Sequence, residues 1–363
     1  MPVPFTSRFL DAFPPPKFFT MSAAAIDISD SLIKYLDAQF TGAGYVPYTF
    51  DRVELEPGVV VDGIVKDHER LARSLKRLRT LYGRSFVYAA LPEELAYLFT
   101  LVLPSDLSAS AIRQAVEFSL GDHVPIPADE LVFNFEQRLP YADSKEVHVS
   151  VVAFPISVVE GYEQALSKAG FIVRGLELEA QAVARAVVPR NTEGTSMVID
   201  FGRNRTGITI TNGAMPVFST TVAVGGSAIT ETIMQHTNMS EEEADDFKRT
   251  RGITFCENEE LKQALLQDIA ALVKELKRHY QFWEGREEEG AYHHTKLERL
   301  YLCGGAVGLH GLPEHVEQLL QVPVTLGNVW QHMFDFDKHI PAVSNIESWQ
   351  YATAAGLLMH DLT

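Results

Sequence analysis

The sequence has little cysteine, few basic residues for its size and no long uninterrupted apolar run. Its 2 cysteines, Cys256 and Cys303, exclude a disulfide framework or a cysteine-based metal site and predict a reducing compartment. With 31 basic and 48 acidic residues the net charge is −17, which argues against a general nucleic-acid binder. The most apolar stretch, 86–104, is interrupted by Glu93 and Glu94, so no uninterrupted apolar run reaches the about 18 residues that a membrane span needs.

The composition of the 363 residues, 46% apolar and 22% charged, is typical of a globular protein. At this length more than one domain is expected. Residues 1–20 contain Pro14-Pro15-Pro16 where a signal peptide would need an unbroken apolar region. We interpret this segment as a docking tail.

Two regions of the chain, 23–64 and 196–222, share a weak internal repeat. In each, a strand pattern ends in an aspartate, Asp27 or Asp200, and a polar turn leads to a second strand. Between them, 98–176 reads as a compact unit of strand, helix, two strands and helix. We predict a tail over 1–20, a first lobe over 21–97 that returns at 177–195, an inserted subdomain over 98–176, a second lobe over 196–345 with a helical subdomain at 227–298, and a C-terminal helix over 346–363 that packs back on the first lobe.

The two aspartate hairpins, 27–34 and 200–206, suggest phosphate binding. Small residues in a turn let the main chain approach a phosphate closely, and an aspartate at the base can hold Mg²⁺ through water. Two such hairpins facing each other would grip a nucleoside triphosphate from both sides. Taken singly, an aspartate before a turn is an ordinary hairpin residue that bonds to its own turn.

A third motif is the strand that ends in Cys303-Gly304-Gly305-Ala306. Without side chains, such a backbone can lie flat under an adenine or a ribose. The three motifs together are far more specific than any one of them.

In their order and separation these motifs resemble the actin-like ATPase superfamily, from about residue 21 to the end of the chain. Segments 115–118, 123–130 and 225–230 resemble more closely the PilM family of type IV pilus assembly proteins and its relative, the FtsA family of cell-division proteins. The resemblance implies an α/β fold of two lobes built on duplicated mixed sheets with flanking helices, plus a small inserted α+β subdomain. It also implies ATP and Mg²⁺ as cofactors, with at most weak ATPase activity.

The resemblance also assigns roles to residues. Asp27 and Asp200 would share the Mg²⁺, and Glu179 would orient the attacking water; the alternative for Glu179 is a helix-start glutamate that favours the helix dipole. The residues implied around the nucleotide are Ser29, Asp30, Ser31, Lys34, Gly202, Arg203, Asn204, Thr206, Gly225, Gly226, Asp245, Lys248, Gly304, Gly305, Ala306 and Leu309.

Several positions depart from the family pattern. Ser29 stands where the family usually has glycine, Asp30 adds a third carboxylate near the phosphates, and Ala180 replaces a proline. Asp245 is one methylene shorter than the glutamate that contacts ribose in relatives. We therefore expect weaker or more Mg²⁺-dependent triphosphate binding and slow or absent hydrolysis in isolation.

By resemblance, the chain is a cytoplasmic adaptor in type IV pilus assembly, peripheral to the inner membrane through its partner. The partner would be the short N-terminal cytoplasmic tail of the inner-membrane protein PilN, with pilus motor ATPases as a second class. Segment 113–127 is a candidate groove for the tail, because Val116 and Phe118 lie about 200° apart around a helix and cannot share one buried face. In the alternative, the helix is buried on both faces.

Two other functions remain open. An FtsA-like division protein needs a basic amphipathic C-terminal helix, but 356–363 contain no lysine or arginine. A small-molecule kinase of the same superfamily needs a carboxylate pocket for its substrate in the first lobe, for which we find no candidate.

Overall fold

The computed structural model describes residues 22–138, 144–285 and 296–360. The predicted tail over 1–20 and the last three residues, 361–363, lie outside this range. The strands are β1 Ala24–Ile28, β2 Leu32–Thr41, β3 Gly44–Glu54, β4 Val60–Val61, β5 Ile64–Val65, β6 Phe86–Leu91, β7 Tyr97–Pro104, β8 Leu131–Arg138, β9 Glu146–Pro155, β10 Ile172–Leu178, β11 Thr195–Phe201, β12 Thr206–Asn212, β13 Met215–Val222, β14 Leu297–Cys303 and β15 Val324–Leu326. The α-helices are α1 His68–Tyr82, α2 Ala109–His123, α3 Ile156–Lys168, α4 Glu179–Val187, α5 Gly226–His236, α6 Glu241–Thr250, α7 Glu259–Glu284, α8 Leu312–Leu320, α9 Asn345–Ser348 and α10 Ala352–Leu358. Over the described ranges, none of these helices is both long and apolar enough to cross a membrane.

The two large sheets have the same topology, which confirms the internal repeat. The first has the order β10-β6-β1-β2-β3 and the second β13-β12-β11-β14-β15. In each, an antiparallel meander (β1 to β3, or β11 to β13) is followed by two strands parallel to its first strand. Each sheet is therefore mixed, as the duplicated two-lobe fold requires.

The inserted part is a smaller antiparallel sheet of order β7-β9-β8, covered by α2. Its core is separate from those of the lobes and includes Phe99, Val116, Leu120 and Val149. Ser108 caps the start of α2 by accepting a hydrogen bond from the backbone N–H of Ala111.

The last part of the predicted unit over 98–176, namely its final helix α3 and the strand β10 that follows, belongs structurally to the first lobe. Strand β10 pairs in parallel with β6 in the first sheet, and Tyr162 and Leu166 of α3 lie in the same core as Leu71 and Leu75 of α1. Only the part up to β9 forms the three-stranded sheet. The boundary differs because an amphipathic helix and a short strand carry no local signal of the sheet that they join.

Two helices fill the space between the lobes. α4 and α10 contribute Val183, Val187 and Leu357 to a core that also contains Ala25 of the first sheet and Val198 of the second. The predicted C-terminal helix is shorter than expected: over 345–358 the chain forms α9, a 3₁₀ turn and α10 rather than one continuous helix. The contact between α10 and α4 is close, since a Cβ on Gly356 would lie 1.8 Å from the carbonyl oxygen of Ala182.

Candidate functional site

The aspartate of the first hairpin is neutralised within the hairpin itself. Asp27 on β1 stands directly opposite Lys34 on β2, and Lys34 Nζ donates a hydrogen bond to Asp27 Oδ2 at 2.8 Å. Asp27 is only 3% exposed. Burial opposes a charge on Lys34, but the negative charges of Asp27, Asp200 and Glu179 outweigh it and raise the pKa of Lys34.

The aspartate of the second hairpin lies against the glycine of the third motif. Gly304 has a φ of 98°, and a Cβ there would lie 2.3 Å from Asp200 Oδ1, so only glycine fits. Burial raises the pKa of Asp200 to about 6; the positive charge of Lys34 opposes this shift and Asp27 adds to it. The aspartates of the two hairpins therefore belong to one electrostatic cluster, with Lys34 between them.

Glu179 joins the same cluster from the start of α4. Thr353 Oγ1 of α10 donates a hydrogen bond to Glu179 Oε1 at 3.2 Å. Burial, and then the negative charges of Asp27, Asp200 and Glu93, raise the pKa of Glu179 well above its usual value. Glu179 is also the first residue of a helix, so both interpretations offered from the sequence fit its position.

The turn of the second hairpin, Gly202–Arg205, is held by its main chain and is called the second turn below. The N–H of Gly202 donates to the carbonyl of Arg205 at 3.0 Å, and the N–H of Gly226 donates to that of Gly202 at 2.9 Å. A Cβ on Gly225 would lie 2.4 Å from a main-chain oxygen of this turn, and one on Gly226 would lie 2.4 Å from Ala306 Cβ. Close backbone packing thus brings the turn, Gly225-Gly226 and the third motif together.

The side chains of this hairpin mostly point elsewhere. Arg203 pairs with Glu241 in the same lobe, and buried Thr206 donates its hydroxyl to the carbonyl of Val224 at 2.5 Å. Asn204 is exposed. Apart from the side chain of Arg205, a phosphate at this turn would therefore meet mainly backbone N–H groups.

Asp245 and Lys248, which the resemblance places at the ribose and adenine, form an ion pair with each other. Lys248 Nζ lies 2.6 Å from Asp245 Oδ1 and 2.6 Å from Thr230 Oγ1. Gly305 is exposed, whereas Leu309 is 1% exposed and belongs to the core of the second lobe. The Leu309 side chain is therefore unable to contact a nucleotide.

The turn of the first hairpin, Ser29–Ser31, is called the first turn; it is closed by a main-chain hydrogen bond from the N–H of Ser29 to the carbonyl of Leu32 at 2.9 Å and is held further by side chains. The Asp30 carboxylate accepts hydrogen bonds from the backbone N–H groups of Asp62 and Gly63, each at 3.1 Å. Ser29 Oγ donates to the carbonyl of Leu32 at 3.0 Å. Asp30 is thus already hydrogen-bonded within the protein.

Two residues of the site, Glu93 and Arg205, are not among those that the sequence predicts. Glu93 of the first lobe accepts hydrogen bonds from Thr209 at 3.5 Å and Thr221 at 3.3 Å in the second lobe, and burial, followed by the charge of Glu94, raises the pKa of Glu93 to about 8. Arg205 forms ion pairs across the lobes and is treated below. The signal for Glu93 was two glutamates inside the most apolar stretch of the chain.

The two carboxylates of the site suit a Mg²⁺ ion that is also bound by the phosphates of a nucleotide, rather than a metal ion held by protein side chains alone. Within the described ranges, no group of three or more His, Cys, Asp or Glu side chains is arranged to hold a metal ion. Mg²⁺ usually keeps several waters and takes one or two carboxylates together with substrate phosphates. Asp27 and Asp200 supply that number of carboxylates.

The predicted partner surface on α2 is split between buried and exposed residues. Val116, Leu120 and Val124 are buried in the core of the inserted sheet, whereas Phe118 is 86% exposed. Burial of α2 on both faces is therefore wrong for Phe118. The Phe118 ring therefore lies on the outer face of α2, open to solvent.

Comparisons with known proteins agree on the fold. The structure of a PilM-PilN type IV pilus biogenesis complex matches with a TM-score of 0.73 and 22% identity, over 94% of this chain and 99% of the other. The ethanolamine utilization protein EutJ from Carboxydothermus hydrogenoformans matches with a TM-score of 0.53 and 15% identity, over 95% of this chain and 90% of the other. ADP-bound MreB5 of Spiroplasma citri also has a TM-score of 0.53, at 13% identity, over 94% of this chain and 98% of the other.

The family follows from the sequence match. A family model described as "Type IV pilus assembly protein PilM" covers residues 25–362, which is nearly the whole chain. The chain therefore belongs to the PilM family of type IV pilus assembly proteins, with an actin-like fold.

Proposed function

We propose that the chain is an adaptor of type IV pilus assembly that binds Mg-ATP between its lobes and docks on a membrane partner. The observation that carries the nucleotide proposal is the electrostatic cluster of Asp27, Lys34, Glu179 and Asp200. Asp27 and Asp200 lie next to last in the equivalent strands β1 and β11 of the duplicated sheets. Lys34 stands opposite Asp27, and Glu179 begins α4. Ligands of open α/β sheets commonly bind at such carboxyl ends of strands.

Each residue of the cluster has a role in this proposal. Asp27 and Asp200 hold Mg²⁺ through oxygen ligands and water, and the ion supplies positive charge for the phosphates. With positive charge beside these aspartates, Glu179 would have a pKa closer to its usual range, and its carboxylate could then orient a water. Hydrolysis stays slow, because Ser29 and Asp30 of the first turn are bonded within the protein.

The test is calorimetric titration of the parent protein and of Asp200→Ala with ATP, with and without Mg²⁺. We expect Mg²⁺-dependent binding in the parent and none in the variant. Asp246→Ala removes an exposed carboxylate from α6 and is the control that keeps binding. Normal Mg-ATP affinity of Asp200→Ala would contradict the shared ion, and turnover of about 1 per second or more would contradict slow hydrolysis.

The proposed partner is the N-terminal cytoplasmic tail of a PilN-like inner-membrane protein, so that the chain is cytoplasmic and reaches the membrane through it. The solved relative is a PilM-PilN complex. In this chain, Phe118 on α2 offers an exposed apolar contact of the kind that marks binding surfaces. The net charge of −17 suits a basic tail.

Substitution of Phe118 tests the docking surface. Phe118→Glu should fold and bind ATP like the parent, yet lose binding to a synthetic peptide of the tail, measured by fluorescence anisotropy. Ile340→Glu is the matched control, because Ile340 is also 86% exposed but lies outside the inserted sheet. Equal peptide binding by parent and Phe118→Glu would remove the docking site from α2.

A further inference from the structure

Arg205 of the second turn is bonded to the opposite lobe. Its guanidinium forms ion pairs with Asp30 of the first turn and with Glu94, both in the first lobe. It also lies 3.7 Å from Asp62 Oδ1 of the same lobe. One guanidinium thus joins the two turns that face the proposed phosphates.

The main chain of Arg205 is fixed, while its side chain has alternatives. Its carbonyl accepts the hydrogen bond that closes the second turn, and the side chain is 30% exposed. If the guanidinium left, Asp30 would keep its hydrogen bonds from the N–H groups of Asp62 and Gly63, at 3.1 Å each. Release therefore leaves Asp30 with two hydrogen bonds, while Glu94, whose side chain is 22% exposed, gives up its ion pair.

A terminal phosphate would compete well for this guanidinium. Arginine presents planar paired donors that match phosphate oxygens in a bidentate way, and hydrogen bonds between charged groups are about twice as strong as neutral ones. A terminal phosphate also carries more negative charge than either carboxylate. By contrast, Arg203 in the same turn pairs with Glu241 of its own lobe and makes no contact of this kind.

We infer that Arg205 is a terminal-phosphate sensor that pairs with Asp30 and Glu94 in the absence of ATP and with the terminal phosphate when ATP binds. This inference rests on the proposed nucleotide site. Its first consequence is specificity, because ADP lacks the group that draws Arg205 away from the first lobe. Its second consequence is that ATP binding frees Asp30 and Glu94 from an ion pair between the lobes.

The test compares Mg-ATP and Mg-ADP affinities, by calorimetry, of the parent, Arg205→Gln and Asp30→Asn. Arg205→Gln should weaken ATP binding about tenfold while changing ADP affinity less than about threefold. Asp30→Asn should tighten ATP binding by about threefold, since it removes a competing negative charge and keeps an acceptor oxygen for one of the two N–H groups. Arg278→Gln, which breaks an ion pair inside α7 with Glu275, should leave both affinities unchanged.

The outcomes separate this inference from the proposed function. Equal losses of ATP and ADP affinity in Arg205→Gln, or unchanged ATP affinity, would overturn the sensor and leave the nucleotide site intact. A parent protein that binds neither nucleotide would overturn both. If thermal melting shows that Arg205→Gln does not fold, Asp30→Asn decides alone, and unchanged ATP affinity in that variant overturns the sensor.

Discussion

The first and second turns occupy equivalent places in duplicated sheets, and each is closed by a main-chain hydrogen bond. They differ in what holds them beyond that bond. The second turn is packed against glycines, where an added Cβ would meet a backbone atom at 2.4 Å, whereas the first turn is held by the Asp30 carboxylate and the aspartate of its hairpin is neutralised by Lys34. Beyond the bond that both turns share, backbone packing therefore stabilises one turn and charged side chains stabilise the other.

This difference predicts opposite sensitivities. A turn held by backbone packing should tolerate loss of its side chains but not a methyl group on its neighbouring glycines. A turn held by charges should depend on those charges and on pH. Substitutions in the two lobes can therefore be compared directly.

The largest effect is expected for Gly304→Ala beside the second hairpin. The new Cβ would lie 2.3 Å from Asp200 Oδ1 and 2.5 Å from the carbonyl of Phe201, so unfolding free energy should drop by about 3 kcal/mol or more. Gly58→Ala is the control, because Gly58 has a similar φ of 85° but no atom within 4 Å of the added Cβ; only strain of about 1 kcal/mol is expected. If urea unfolding shows equal losses of unfolding free energy in the two variants, backbone strain rather than the close approach of the new Cβ causes the loss.

The second largest loss of stability is expected when the ion pair of the first hairpin, between Lys34 and Asp27, is broken. Lys34→Met leaves the buried carboxylate of Asp27 without its cation and should cost about 3 kcal/mol of unfolding free energy. Lys338→Met breaks a pair of the same kind, with Asp335, in which both side chains are largely exposed, and should change stability little. A Lys34→Met protein as stable as the parent in urea would mean that the ion pair with Asp27 does not stabilise the fold.

Glu93 between the lobes should make stability depend on pH. In the folded protein Glu93 keeps its proton up to about pH 8, whereas in the unfolded chain it loses the proton near its ordinary value of 4.5. The folded state therefore binds more protons between these pH values, and stability falls as pH rises through this window.

Between pH 5 and pH 8, the unfolding free energy of the parent should fall by on the order of 2 kcal/mol more than that of Glu93→Gln. Asp200, whose pKa is raised to about 6, contributes a decline of the same sign in both proteins. The measurement is urea unfolding at the two pH values. Identical pH profiles would show that Glu93 is ionised in the folded protein.

The smallest changes in stability are expected when one side chain is removed from each turn. Asp30→Ala removes the acceptor of the Asp62 and Gly63 N–H groups and should cost about 1 kcal/mol. Arg203→Ala removes an exposed pair with Glu241 and should change stability little, because the backbone holds the second turn. Thermal melting of both variants checks this, and a larger loss in Arg203→Ala would reverse the comparison.

Local features of the fold could be predicted, whereas contacts between distant residues could not. The helix over 68–82 follows from Leu71, Leu75 and Leu78 on one face, with Asp67 and Gly83 as its caps. Arg205, in contrast, is 111 residues from Glu94 and 175 from Asp30. No periodicity or turn signal links residues so far apart, although Arg205 stood inside a motif that the sequence made visible.

The residues of the candidate site also divide into those that a local sequence pattern predicts and those that only their distant contacts reveal. Asp27 and Asp200 could be found because an aspartate before a small-residue turn is a local pattern that occurs twice. Glu93 was read only as an interruption of an apolar stretch, since its hydroxyl partners, Thr209 and Thr221, come from the other lobe. Leu309 was placed at the nucleotide, but its side chain is drawn into the core.

The duplicated hairpins, the order of the three motifs and hence the family are set by spacing along the chain, so the residues alone reveal them. The pair of Lys34 and Asp27 is also local, because the two residues face each other within one hairpin. The approach of Gly304 to Asp200 joins neighbouring strands of one sheet that lie far apart in the chain. The contacts of Arg205 and Glu93 between the lobes depend on how the two sheets pack around α4 and α10. That packing is fixed by burial over the whole molecule rather than by any local pattern.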